Sequence, residues 1–115
     1  DATGVDEDRR FWGINYFFPG DEKLKPGVDP IAEQYGEGAS HQNGAAVERL
    51  VEFQIEDAGI SLVDAPPVQL VLSRLGLARN WEGIARLQEG ELDGFLLVTD
   101  KFPSTILAYV PRFEN

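Results

Sequence analysis

From Val51 the chain alternates without a break: Val51, Phe53 and Ile55 are apolar, and Glu52, Gln54 and Glu56 are polar. Side chains on a strand point to opposite faces with a period of two, so this pattern predicts a strand with one apolar face. The residues just before it, "AAVERL", favour helix by propensity. The alternation outweighs them, and a strand from about Glu48 is expected, with its polar face in water. Asp57-Ala58-Gly59 then supplies a turn, and Ile60 to Val63 the second strand of a hairpin.

The same period marks other segments. "RRFWGINYFFPG", Arg9 to Gly20, crowds five aromatics into Phe11–Phe18 and ends at a Pro-Gly turn signal. Read as a strand, it puts Trp12, Ile14, Tyr16 and Phe18 on one face. Phe11, Gly13, Asn15 and Phe17 fall on the other. The C-terminal third, "WEGIARLQ", "FLLVTD" and "TILAYVPRF", is separated by the turn-like "EGELDG" and the break "KFPS". Its last two segments are apolar on both faces, the mark of central strands covered on both sides.

Two helices are expected. The main one spans about residues 65–75. Asp64 caps it, Pro66 and Pro67 suit its first turn, Val68, Val71, Leu72 and Leu75 recur at i, i+3, i+4 and i+7, and Gly76 ends it. Val68, Leu70 and Leu72 also alternate, which is the strand alternative. A short helix over 30–35 has Asp29 as N-cap, Pro30 as first residue and Gly36 as stop. The fold class that results is α+β: a predominantly antiparallel β-sheet with one main helix. With 115 residues the chain has the size of one domain. An acidic tail, 1–8, precedes a globular domain, 9–115, that contains a Gly/Pro-rich loop region at 19–44.

Charge restricts the partners. Ten Lys and Arg against twenty Asp and Glu leave a net −10, and such a polyanion is repelled by phosphates. Nucleic acid is not an expected partner. No apolar run reaches the ~18 residues of a spanning helix, so no transmembrane segment is expected. The absence of Cys excludes thiolate metal sites and disulfides but leaves the compartment open. The chain contains no Met, and it reads as the product of a processed precursor with an extracytoplasmic or organellar location.

Few residues suggest chemistry. His41, the one histidine, lies beside Ser40 in "GASHQNG". Sequence neighbours rarely face one another, and no nucleophile elbow is present, so the pair reads as a polar loop site. The glycines of that loop lack the Lys of a phosphate-binding loop. One His without Cys argues against structural zinc, and Asp6-Glu7-Asp8 lacks the spacing of a calcium loop. No metal or cofactor is expected.

A non-catalytic protein-binding module or accessory subunit of a larger assembly is the leading expectation, with another protein, including a basic one, as partner. Large aromatics commonly anchor interfaces. The residues named for partner contact are Phe11, Phe17, Trp12, Tyr16 and Tyr35, with Phe11 and Phe17 first because core packing leaves them over. The alternatives are an acidic inhibitor or immunity-type protein that neutralises a basic partner, and a small β-rich enzyme or ligand-binding domain. In the last case Trp12, Tyr16, Tyr35 or Trp81 would line a pocket near His41.

Overall fold

The structure is a computed structural model that describes residues 1–17, 28–35, 47–70, 81–99 and 105–113. In chain order the elements are β1 (Arg10–Phe17), α1 (Pro30–Tyr35), β2 (Val47–Glu56), β3 (Gly59–Leu62), β4 (Val68–Gln69), β5 (Trp81–Glu89), β6 (Leu92–Thr99) and β7 (Leu107–Pro111). They form two antiparallel sheets. Sheet A has the order β1-β2-β3, with β4 also paired to β2, and sheet B has the order β5-β6-β7. Two tight turns rest on glycines with positive φ, Gly59 at the start of β3 and Gly90 between β5 and β6 (137° and 57°). Gly90 supplies the geometry that a two-residue hairpin demands, so β6 resumes at once from Leu92.

The sheets pack face to face around Trp12, Leu50, Ile84, Phe95 and Leu97, with Ile14, Val68, Leu70, Trp81 and Val110 against them. Trp12 of sheet A meets Phe95 of sheet B edge-on, their ring centroids 4.9 Å apart, a favoured arrangement for two aromatic quadrupoles. Two guanidinium groups extend this stack. Arg86 lies 4.8 Å from the Phe95 centroid and Arg112 5.4 Å from that of Trp12.

The main helix expected over 65–75 is not found. Asp64 and Ala65 form a bend and Val68–Gln69 is a short strand, while residues 71–75 lie outside the described set. The reason is visible in the packing. Val68 pairs with Leu50, Gln69 with Arg49, and Val68 and Leu70 reach the core at a spacing of two. Tertiary pairing has overridden the 3.6-residue pattern. The mainly antiparallel β character stands, with one short helix among the described residues.

That helix, α1, is held from both ends. The Ala32 N–H donates to Asp29 Oδ1 at 3.1 Å, an N-cap contact. Near its C-terminus, Tyr35 Oη and Gln34 Nε2 both donate to Asp64 Oδ1. Six residues are too few for a helix that stands alone, so these ties are what keep it formed. No described helix is long and apolar enough to cross a membrane.

β2 departs from its expected orientation. Glu48, Leu50 and Glu52 share the face turned towards sheet B, and Glu48 and Glu52 are buried there. Burial of the opposite face, Val47, Arg49 and Val51, explains the inversion: that side is covered too. Ile31 and Tyr35 of α1 border the same small hollow as Val51 and Leu62.

The acidic segment at residues 1–8 is stitched to both sheets. Ala2 bridges Gly13 of β1, the Thr3 N–H donates to the Trp12 carbonyl, and the Ile14 N–H to that of Asp1. The Asp1 carboxylate accepts the Ile84 N–H of β5 at 3.1 Å. Further on, Asp6 Oδ1 accepts the N–H groups of Asp8 and Arg10, turning the chain into β1.

Candidate protein-binding surface

The pairing of sheet B sorts its side chains. Ile84 opposes Leu97, and Phe95 opposes Val110, on the face that supplies the core. The other face carries Leu87, Ala85 and Gly83 from β5, Leu92, Gly94, Leu96 and Val98 from β6, and Leu107, Tyr109 and Pro111 from β7. Glu89 at one corner is its one charged member. A solvated sheet face is ordinarily polar, and this one is apolar across three strands. Leu107 is 71% exposed, Leu92 48% and Tyr109 41%. None of these residues belongs to the core cluster.

Gly94 fits this surface for a local reason. A Cβ there would sit 2.3 Å from the Val110 carbonyl oxygen and 2.7 Å from the Tyr109 ring. The Tyr109 side chain therefore lies down over the glycine.

Beside β7 a cleft of about 580 Å³ separates the two sheets. Ala65, Pro66, Pro67, Val68 and Leu70 form one wall, and Tyr109 to Phe113 the other, with Trp12 and Trp81 between them. Exposed Phe113 and the Arg112 guanidinium mark its rim, the latter 5.0 Å from the Phe113 ring centroid. The volume is typical of a ligand or side-chain pocket. A second hollow, about 810 Å³, follows the N-terminal segment. There Arg10, Arg86 and Arg112 face Asp6, Glu7, Asp8 and Glu52. Arg86 is ion-paired with Asp93, and Arg112 stands 3.9 Å from Glu52. Four carboxylates face three guanidinium groups, so the hollow has no excess positive charge to hold an anion.

On the opposite side of the molecule sits a buried polar cluster. Arg49 donates to Asn15 Oδ1 at 2.7 Å and to Asp29 Oδ1 at 3.0 Å, and both Arg49 and Asp29 are buried. Asp29 thus caps α1 and neutralises a cation from β2. Nearby, the Tyr35 hydroxyl is held above its ordinary pKa, by partial burial first and then by its hydrogen bond to Asp64 and that carboxylate's charge.

The residues named from sequence are dispersed. Trp12 is buried at the centre of the core. Phe11 is half-buried, stacked on its cross-strand neighbour Phe53 with centroids 5.2 Å apart. Gly13 makes room for that pair, since a Cβ there would lie 3.2 Å from the Phe53 ring. Tyr16, at the far end of β1, is 38% exposed. Tyr35 faces Asp64 rather than open solvent. Phe17 ends β1 with its backbone opposite Val47; its side chain lies outside the described set, as do Ser40, His41 and most of the loop region 19–44. Among the described residues no three His, Asp or Glu side chains come together as metal ligands.

No protein-family model matches the chain, and neither a curated protein nor a solved structure shows a match. The apolar outer face of sheet B was missed in the sequence reading, although its signal was present. Apolar residues on both faces of β6 and β7 imply two covering layers, and sheet A provides only one.

Proposed function

We propose that this chain is a non-catalytic protein-binding module, an accessory subunit that docks its partner on the outer face of sheet B. The apolar composition of that face across all three strands carries the reading. Exposed contiguous apolar surface is costly to leave in water and is characteristic of interaction sites. Tyr109 and Leu107 are the anchors, since a large amphipathic ring and a protruding leucine suit the desolvated centre of an interface. Of the residues named from sequence, exposed Tyr16 remains a contact candidate at a separate edge.

The test is capture of the native partner from the source by the full chain, compared with its Leu107→Glu and Leu96→Glu variants. Both variants are expected to lose the partner while keeping the circular dichroism of the parent. Undiminished capture by both, or a native mass equal to the lone chain in the source, sinks the reading.

A further inference from the structure

We infer that the partner docks by adding an extended apolar segment as a fourth strand beside β7, and that Lys or Arg flanks this segment. The inference rests on the protein-binding reading above and specifies its geometry.

β7 is the last strand of sheet B. The Thr99 N–H donates to the Ile106 carbonyl, and the Arg112 N–H to that of Asp93. Antiparallel bonding alternates along a strand, so Ile106, Ala108, Val110 and Arg112 bond towards β6. The N–H and C=O groups of Leu107 and Tyr109 point the other way, to the open edge. Protected edges are short or carry charges, Pro, bulges or a covering element. Leu107–Pro111 has no charged residue and pairs with β6 without a register shift; Pro111, which lacks an N–H, limits the open run to Leu107 and Tyr109.

An added strand presents its side chains alternately to the two faces of the sheet. One row would continue the apolar outer face beside Leu107 and Tyr109. The other row would enter the 580 Å³ cleft against Pro66, Pro67 and Trp81. Both rows meet apolar surface, so the segment is apolar on both sides.

Charge decides between a foreign segment and a second copy. Each chain carries −10, which opposes self-pairing. Glu89 and Glu91 are exposed at the β5–β6 turn, while Arg86 and Arg112 each stand beside a carboxylate. Among these described residues the excess charge is negative, and a basic flank complements it.

The test uses a synthetic peptide of alternating valine and leucine with lysines at both ends, titrated into the full chain. Tryptophan fluorescence is the readout, because both tryptophans line the cleft. Saturable binding is expected, weakening several-fold as salt rises. Glutamate flanks are expected to weaken it, and N-methylation of alternate peptide amides to abolish it. Absence of binding overturns the inference, as does equal affinity for the N-methylated form. Equal affinity for the glutamate-flanked form overturns the assigned charge, and a concentration-dependent dimer in sedimentation makes a second copy the occupant. A Tyr109→Pro variant removes an outward N–H while leaving the bonds to β6, and is expected to lose both peptide and native partner. If Tyr109→Pro still captures the partner while Leu107→Glu does not, strand addition fails and the binding-module reading stands.

Discussion

Sheet A has four strands and sheet B three, and their outer faces are covered to different extents. Sheet A has Val47, Arg49 and Val51 buried, with α1 fastened alongside through Asp29–Arg49 and Tyr35–Asp64. Sheet B presents Leu92, Leu107 and Tyr109 to solvent. The first face seals in a charge with its counter-ion and exposes apolar Ile60 and Leu62 at its β3 end, whereas the second exposes apolar groups on both β6 and β7.

The largest effect should come from breaking the sealed pair. Arg49→Ala leaves Asp29 as a buried carboxylate without its cation, and loss of one partner from a buried pair typically costs about 3–5 kcal/mol. A urea melt should show the midpoint fall accordingly. An unchanged midpoint would mean that the pair is not sealed.

A matched substitution on the two faces tests the contrast directly. Val51→Asp places an unpaired charge in a site that is 6% exposed, and should cost about 3 kcal/mol or more. Leu107→Asp changes a residue that is 71% exposed, and surface changes of that kind lie within about 0.5 kcal/mol. Equal destabilisation by the two in the same melt would erase the distinction between the faces.

The smallest effect concerns the tie at the C-terminus of α1. Tyr35 should ionise above its ordinary value of 10.0, and Asp64→Asn should bring it part of the way back, because burial persists while the carboxylate is gone. Phenolate absorbance against pH checks this, with Tyr35→Phe assigning the signal. A raised pKa favours the neutral phenol in the folded state. Its contribution is therefore complete below the unfolded value and disappears as pH climbs through the folded one. An Asp64→Asn titration identical to that of the parent would break the assignment.

Much of the sheet architecture was legible because strands announce themselves by a period of two. β1, β2 and the β2–β3 hairpin fall where alternation and glycine turns place them, while the expected turn "EGELDG" contracts to Gly90-Glu91, with Glu89 in β5 and Leu92–Gly94 in β6. Residues 65–70 were misread because Val68 fits two periods at once, and only the presence of Leu50 across the sheet decides between them. Glu48 and Glu52 were misread for a related reason. Alternation says which residues share a face, but not whether water lies on it. Their burial depends on Arg112 and the rest of sheet B arriving from the far end of the chain. The candidate surface was hidden by the converse ambiguity. Apolar residues on both faces of β6 and β7 look the same in sequence whether the second cover comes from the chain itself or from elsewhere. The crowded aromatics of β1, which drew attention first, divide into Trp12 in the core, Phe11 stacked on Phe53 and Tyr16 at the surface.

The stitching of residues 1–6 along β1 has a consequence for assembly. It occupies the outward groups of Trp12 and Ile14, so sheet A offers no long open edge on that side. The same segment reaches the other edge strand of sheet B, where the Asp1 carboxylate accepts the Ile84 N–H of β5. Head-to-tail growth needs both a donor and an acceptor side, and without closure it yields fibres. By occupying outward groups of both β1 and β5, the acidic segment shields two sheet edges, and its excision should expose them to pairing with another chain.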